Sequence, residues 1–194
     1  MSSAPASIAF VAPTLTSFVG GATGGWTVER IDRVTGPSLP RVAKVAVIEG
    51  GVTGLPPNAA WVLRGVVVSQ QYTTQEEQEV LLHRQPPLGR PTASRAALIP
   101  ITKSEDWWWL SQAERRTILE ETSHHIAIGM EYLPAVARRL HHGRNLEEPF
   151  DFLTWFEFAP DREAAFEELV RRLRITQEWA YVVREVDIRL KREG

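Results

Sequence analysis

The chain contains no cysteine among its 194 residues. This absence excludes disulfides, thiolate metal ligands, iron–sulfur clusters and a cysteine nucleophile, so any metal must be held by histidine, carboxylate or a cofactor. No apolar run approaches the roughly 20 residues that a membrane span requires. Residues 1–7 also lack the basic side chain that precedes the apolar segment of a signal peptide. We therefore expect a cytoplasmic protein without a membrane partner.

The chain has little excess charge of either sign. Its 22 Lys+Arg and 24 Asp+Glu residues give a formal net charge of −2, which does not favour binding to nucleic acid or to an anionic membrane. Its 43% hydrophobic and 24% charged residues are typical of a soluble globular protein. The glycine-rich run at 20–25 lacks the G-x-G-x-x-G spacing and a following lysine. A hairpin loop is therefore favoured there over a nucleotide site.

Strand and helix patterns follow one another along the chain. Alternating apolar residues at 150–158 predict a strand with one strongly apolar face, and 186–191 predict a final strand with one wet side. Between these two strands, residues 166–173 have the apolar spacing of a helix, and Ser111 with Glu114 forms a capping box. Long strands with helices on one side predict an α+β sandwich of split-βαβ type, with two such units in tandem.

An apolar stripe follows the capping box. The spacing of its members predicts one buried helical face, made by Ile126, Met130, Leu133, Ala137 and Leu140. Arg138 lies beside this stripe, where an arginine usually extends its head outward to water.

The five histidines offer few ways to hold a metal. Apart from His83 they form two adjacent pairs, at 124–125 and 141–142, and adjacent residues on a helix point about 100° apart. There is no H-E-x-x-H motif, so each histidine fits a surface or capping role better than a ligand role. His125 is the exception, because at the edge of the apolar stripe its ring could face a buried cavity.

Three consecutive tryptophans, Trp107 to Trp109, call for a large apolar surface to cover. The simpler interpretation is that these tryptophans form a core or interface cluster. The more specific interpretation is that they bind a planar macrocycle. Lys103, four residues before Trp107, could offer a cation to an acidic group at a cofactor edge. Glu178, taken alone, would be an ordinary surface carboxylate.

Residues 95–192 taken together resemble the chlorite dismutase family, and specifically its short, dimeric branch. The resembling stretches cover about half of the chain densely, and they are residues 96–104, 107–108, 123–125, 132–138, 148–157, 178–179 and 184–190. Shorter patches match at 61–66 and 88–90. The joint pattern is specific, although no single piece of it is.

The resemblance implies an enzyme that uses haem b (iron protoporphyrin IX) to convert chlorite to chloride and dioxygen, through O–Cl cleavage and O–O bond formation at ferric haem. It also implies a homodimer with a dimeric α+β barrel-type fold. Each chain would have two ferredoxin-like halves, a shortened one at 1–90 and a haem-binding one at 91–194.

The resemblance also implies roles for residues around the iron. His125 is similar to the axial haem ligand, and Glu178 to the carboxylate that hydrogen-bonds the axial imidazole. Arg138 is similar to the distal arginine that separates active members from many inactive relatives. Gln85 is similar to a distal glutamine that can hold this arginine in the short branch.

Residues at the haem edge can be assigned in the same way. Lys103, Trp107 and Trp108 match the haem-lining Lys-x-x-x-Trp-Trp segment of the family. Tyr72 is a further candidate, as a contact of a haem propionate.

Three alternatives remain open. One is a coproheme decarboxylase-like relative, against which Arg138 argues because that branch typically lacks this arginine. Another is a non-catalytic haem-binding or haem-transfer protein of the same superfamily. The third is a cofactor-free dimeric α+β barrel that binds a hydrophobic partner through its tryptophans.

The assignment of His125 and Arg138 to one iron carries a geometric prediction. In a straight α-helix, 13 residues span about 20 Å and rotate by about 220°. Both side chains must nevertheless approach one centre from opposite faces. We therefore predict that the segment is bent or interrupted near Leu133 and Pro134, because proline removes a helical hydrogen bond.

Overall fold

The computed structural model describes residues 14–67 and 85–192. These residues contain eight strands, β1 to β8, with the bounds Thr14–Gly21, Trp26–Thr35, Lys44–Glu49, Ala59–Val67, Arg95–Lys103, Val136–His142, Phe152–Phe158 and Val182–Lys191. They also contain four α-helices, α1 to α4, with the bounds Glu105–Trp109, Gln112–Arg116, His125–Glu131 and Glu163–Arg174. A π-helical turn, Thr117–Thr122, continues α2, and short 3₁₀ turns lie at Arg144–Leu146, Pro160–Arg162 and Gln177–Tyr181. None of the described helices is long and apolar enough to cross a lipid bilayer.

The eight strands form one closed antiparallel barrel in the order β1-β3-β2-β8-β5-β7-β6-β4, with β4 returning to β1. The N-terminal strands join the C-terminal strands at two seams. At one seam β2 pairs with β8 from Thr27 opposite Lys191 to Thr35 opposite Glu185. At the other, among the residues that the structure describes, β4 meets β6 at the pair of Val66 and His142. This closed barrel with a few helices makes the protein a mixed α/β fold.

Two apolar layers follow from the alternation of side chains along the strands. The inner layer fills the barrel and includes Phe18, Leu98, Trp155 and Ile188, so that strands from both parts of the chain share it. The outer layer lies between the outward face of β5, β6 and β7 and the helices. The helix residues of that layer include Phe166, Leu169, Val170 and Leu173 of α4, which confirms the helix predicted from their spacing.

The predicted helical face from Ile126 to Leu140 is wrong in its second half. Helix α3 ends at Glu131, and residues 136–142 form strand β6, which pairs with β7. Leu133 and Pro134 lie between the end of α3 and the start of β6, so the predicted interruption is confirmed. Pro134 offers no backbone N–H to continue a helix, and the residues after it pair with a neighbouring strand instead. Arg138 therefore lies on a strand.

The predicted wet side of the final strand is also wrong. Asp187 and Arg189 of β8 are buried, because helix α4 covers this side of the strand. Arg174 of α4 donates hydrogen bonds to Glu185 and Asp187 at 2.8 Å, and Glu167 of α4 accepts from Arg189 at 2.5 Å. The charges are thus paired within the protein. Alternation alone cannot distinguish paired charges from charges that face water.

Candidate functional site

A pocket opens between the outer face of the sheet and the helices. Its apolar walls are Ile99, Ile101 and Phe156 from the sheet and Val170 and Leu173 from α4. Its polar and aromatic walls are His125, Arg138, Thr154, Trp179 and Glu185. A few polar groups therefore converge on an otherwise apolar space.

His125 enters the pocket from the first residue of α3. Its Nδ1 lies 2.6 Å from Oε2 of Glu178, and its ring is 24% exposed, so the other ring nitrogen is left for a ligand. Ser123 anchors the backbone of Glu178, since its hydroxyl accepts a hydrogen bond of 3.0 Å from the backbone N–H of Glu178. The chain between these residues turns sharply at His124, which has a left-handed backbone with φ of 51°.

Glu178 also contacts a positive group, the ammonium of Lys103. Lys103, buried at the end of β5, donates from Nζ to the Glu178 carboxylate at 2.8 Å and to its backbone carbonyl at 3.2 Å. Burial alone would raise the pKa of Glu178, but His125 and Lys103 together lower it to about 2. Burial lowers the pKa of Lys103, and the charge of Glu178 opposes that effect. The carboxylate is therefore held ionised against the imidazole.

Arg138 reaches the pocket from β6, where it lies opposite Phe156 of β7. Within residues 14–67 and 85–192 its guanidinium has no hydrogen bond and no carboxylate partner, although the charge of Glu120 acts on it. Burial lowers the pKa of this arginine, but an arginine keeps its charge in a protein. The pocket thus contains a cation without an anionic partner in the described chain.

Gln85, which the resemblance implies as a support of the distal arginine, contacts the backbone of Arg138. Its side-chain amide donates to the main-chain carbonyl of Arg138. Arg90, further along the same loop, donates to the carbonyl of Pro134 at 3.3 Å. Both side chains therefore support β6 and the turn before it.

The three consecutive tryptophans of α1 have three different environments. Trp107 is buried, lies 5.4 Å from the ring of Tyr181, and has an indole N–H without an acceptor among the described residues. Trp108 stacks on Phe152 at 5.9 Å and donates from its indole to Asp151 at 3.3 Å. Trp109 is 83% exposed. A helix places only some of three successive side chains toward the core, so the triplet is not one cluster.

The other residues considered in the sequence analysis either lie outside the described part of the chain or lie away from the pocket. Tyr72 and His83 lie outside the described residues. His141 and His142 are buried away from the pocket, with His141 inside the barrel against Phe18 and His142 against Phe152. The structure thus brings His125, Glu178 and Lys103 into one chain of contacts and places Arg138 in the same pocket.

Trp179 and Glu185 are among the pocket residues that were not singled out from the sequence. The indole of Trp179 donates to Oε2 of Glu185 at 2.8 Å, while Arg174 donates to the other carboxylate oxygen at 2.8 Å. Glu185 is fully buried. The sequence does place Glu185 in an alternating strand that follows an arginine-rich helix. That pattern does not show that Glu185 is buried and paired with Arg174, which depends on how α4 packs on β8.

Together the fold and the pocket define a class: a mixed α/β barrel protein with a carboxylate-backed histidine and a buried arginine, which has no ion-pair partner in the described part of the chain, in one apolar pocket. The chain belongs to the chlorite dismutase family, since the family model described as Chlorite dismutase matches residues 55–192.

Solved structures support this membership. The chain is 49% identical to the dimeric chlorite dismutase from Nitrobacter winogradskyi, with a TM-score of 0.85 over 92% of this chain and 99% of that one. A mutant chlorite dismutase from Candidatus Nitrospira defluvii shares the fold at 19% identity, with a TM-score of 0.62 over 93% of this chain and 91% of that one.

A curated relative gives a shorter match. The chlorite dismutase of Ideonella dechloratans is 35% identical over 89 residues, which are 46% of this chain and 29% of that relative. The match therefore spans less than a third of the curated relative.

Proposed function

We propose that this protein is a haem b-dependent chlorite dismutase, which converts one chlorite ion to one chloride ion and one dioxygen molecule. One observation carries the proposal: His125, backed by Glu178, and the buried cation Arg138 line the same apolar pocket. Such a pocket offers a metal ligand and a fixed cation to a small anionic substrate. Membership of the chlorite dismutase family supports the same reaction.

The residues fit a haem. An iron-ligating histidine commonly donates its other ring nitrogen to a carboxylate. The 2.6 Å between Nδ1 of His125 and Oε2 of Glu178 supports the same arrangement here. The buried indole N–H of Trp107 lacks an acceptor among the described residues, and a haem propionate could supply one. Haem, when bound, would supply the iron at which chlorite is split and its oxygen atoms are joined.

Glu178 and Lys103 determine the orientation of the His125 ring and the electron donation of its imidazole. The ionised carboxylate holds the proton on Nδ1, which fixes the ring orientation and makes the imidazole a stronger electron donor. Lys103 balances the charge of Glu178 and keeps it in place from the buried side. Although Lys103 was predicted at the haem edge, its ammonium is engaged with Glu178, and we propose that it acts mainly through that contact.

Arg138 would bind the anionic reactants. Its guanidinium keeps a positive charge and several donors in the pocket, so it can hold chlorite and any anionic fragment of it. The apolar walls limit hydration of that fragment and its loss to solvent. Gln85 would support Arg138 through the strand backbone, while Trp107, Trp108 and Tyr72 stay proposed as haem-edge contacts.

We also propose that the haem lies in the C-terminal one of two ferredoxin-like halves, residues 1–90 and 91–194. The strand order β8-β5-β7-β6, with helices between β5 and β6 and between β7 and β8, supports a split-βαβ unit in the second half. The strand order β4-β1-β3-β2 repeats this arrangement in the first half, without a described helix between those strands. The dimeric relative supports a homodimer, and a cytoplasmic location stays a prediction from the sequence.

Two measurements test the proposed function. Protein reconstituted with haem b should show a Soret band, and chlorite should then release dioxygen at an oxygen electrode in a one-to-one ratio with chloride. Haem binding without dioxygen release would indicate a haem carrier, and decarboxylation of added coproheme would indicate the other enzyme of the superfamily. Failure to bind any porphyrin would leave the cofactor-free barrel.

A further inference from the structure

Helix α3 contains a buried glycine where its backbone does not require one. Gly129 lies one helical turn after His125, and its φ is outside the left-handed region that favours glycine. Glycine inside a helix destabilises it by about 1 kcal/mol relative to alanine. The reason for glycine at this position must therefore lie in what surrounds it.

The surrounding group is the side chain of Arg138. A β-carbon built on Gly129 would lie 2.5 Å from Nη1, 2.8 Å from Cζ and 3.0 Å from Nη2 of the arginine. These distances are closer than van der Waals contact allows. The three nearest neighbours of such a β-carbon are thus all atoms of one guanidinium.

We propose that Gly129 is a positioning residue, which admits the guanidinium of Arg138 to the surface of α3 and thereby selects its orientation at the pocket. The catalytic part of this inference rests on the proposed function, whereas the geometric part concerns two residues of the chain alone. Because the colliding atoms are at the end of a flexible side chain, a methyl group at 129 would displace the arginine and leave the fold intact. A displacement of about 1 Å can lower a rate by about 100-fold.

The first test uses the haem-free protein, so that it does not depend on activity. In Gly129→Ala, the Nε–Hε resonance of Arg138 in a ¹⁵N NMR spectrum should shift, while the thermal midpoint stays equal or rises. Ala127→Gly, at an exposed position of the same helix, is the matched control: it should lower the midpoint and leave the Arg138 resonance unchanged. An unchanged Arg138 resonance in Gly129→Ala would overturn the proposal.

The second test is a double-mutant cycle on the haem-loaded protein. Gly129→Ala alone should weaken binding of fluoride, a small anion that accepts hydrogen bonds, and should lower chlorite turnover by about 100-fold. In the Arg138→Ala background the same substitution should change neither quantity, because no guanidinium remains to displace. Equal losses in both backgrounds would show that Gly129 acts independently of Arg138 and would contradict the inference.

The two tests separate this inference from the proposed function. If the native protein binds haem but releases no dioxygen from chlorite, the proposed function fails. The Arg138 resonance and the fluoride cycle still decide the role of Gly129.

Discussion

At the scale of single residues, the charged side chains of the site differ in whether they have a partner of opposite charge. Glu178 has two partners, Lys103 and His125, whereas Arg138 has no carboxylate partner among the described residues. A buried pair contributes mainly to position, and an unpaired cation is available for a ligand. The two kinds of residue should therefore respond differently to substitution.

Arg138→Ala should spare haem binding and remove turnover. The Soret band should persist because His125 is intact, while chlorite turnover should fall by about 100- to 1,000-fold, the usual effect of losing one charge-stabilising donor. Arg138→Lys keeps the charge without the planar fork and should retain part of the activity. Unchanged steady-state kinetics in Arg138→Ala would exclude the distal role.

Glu178→Gln should destabilise the haem-free protein by about 3 kcal/mol or more, because it leaves the buried Lys103 without its counter-charge. The double substitution Glu178→Gln with Lys103→Met removes both charges and should recover most of that loss. Urea unfolding measures both effects. A double variant no more stable than Glu178→Gln would show that the buried charge is not the cause.

At the scale of helices and strands, short sequence patterns predicted those elements whose formation depends mainly on residues close together in the sequence. The capping box of α2 forms as expected, with Glu114 N–H donating to the Ser111 hydroxyl and Ser111 N–H donating to the Glu114 carboxylate. The amphipathic helix α4 was also predicted, because it has a single apolar face. Strand β7 was predicted as a strand with one apolar face, but both of its faces are buried, with Trp155 in the barrel interior and Phe156 against the helices.

Ser111→Ala tests the capping box of α2, in which Ser111 and Glu114 each accept a hydrogen bond from the backbone N–H of the other. Loss of the hydroxyl should lower the free energy of unfolding by about 1 kcal/mol, since one backbone N–H at the start of α2 loses its acceptor. Ser111→Asp should retain the cap and most of the stability. Chemical unfolding followed by circular dichroism gives both values, and a neutral Ser111→Ala would mean that the helix start is not fixed by the box.

Other elements could not be predicted locally. Residues 126–140 show a helical period, yet only the first part is helical, because Val136 and its successors find a partner strand in β7. The burial of Asp187 and Arg189 likewise depends on α4 lying over β8. Similarly, the pairing of Lys103 with Glu178 joins residues 75 positions apart, and no spacing rule anticipates it. His125, Arg138 and Glu178 were identified through their resemblance to a family, and the pocket gives that assignment a physical basis.

At the scale of the whole molecule, the barrel interior is the common core of both parts of the chain. Strands β1 to β4 and β5 to β8 contribute to the same inner layer, so neither set covers its apolar face without the other. We therefore expect one cooperative unfolding transition for the barrel.

That interior also holds a titratable group. His141 is 2% exposed, donates from Nδ1 to the carbonyl of Leu153 at 3.2 Å, and packs edge-on against Phe18. Burial lowers the pKa of His141 from 6.5 to about 4, so its folded form is neutral at pH 7.

The stability of the protein should therefore decline in mild acid. Since the unfolded chain binds a proton on His141 near pH 6.5 and the folded chain only near pH 4, stability falls as the pH drops between these values. The loss from this residue is roughly 3 kcal/mol at pH 4. His141→Gln should flatten the dependence, as measured by urea unfolding at several pH values. An equal slope in native protein and variant would assign the acid sensitivity elsewhere.

The seam between β2 and β8 joins the two parts of the chain along a long ladder, from Thr27 opposite Lys191 to Thr35 opposite Glu185. On its other side, β8 pairs with β5. Amide protons of β8 should consequently exchange slowly with deuterium. Glu185, at one end of this ladder, lines the pocket, so this wall should stay in place while other parts of the barrel open transiently.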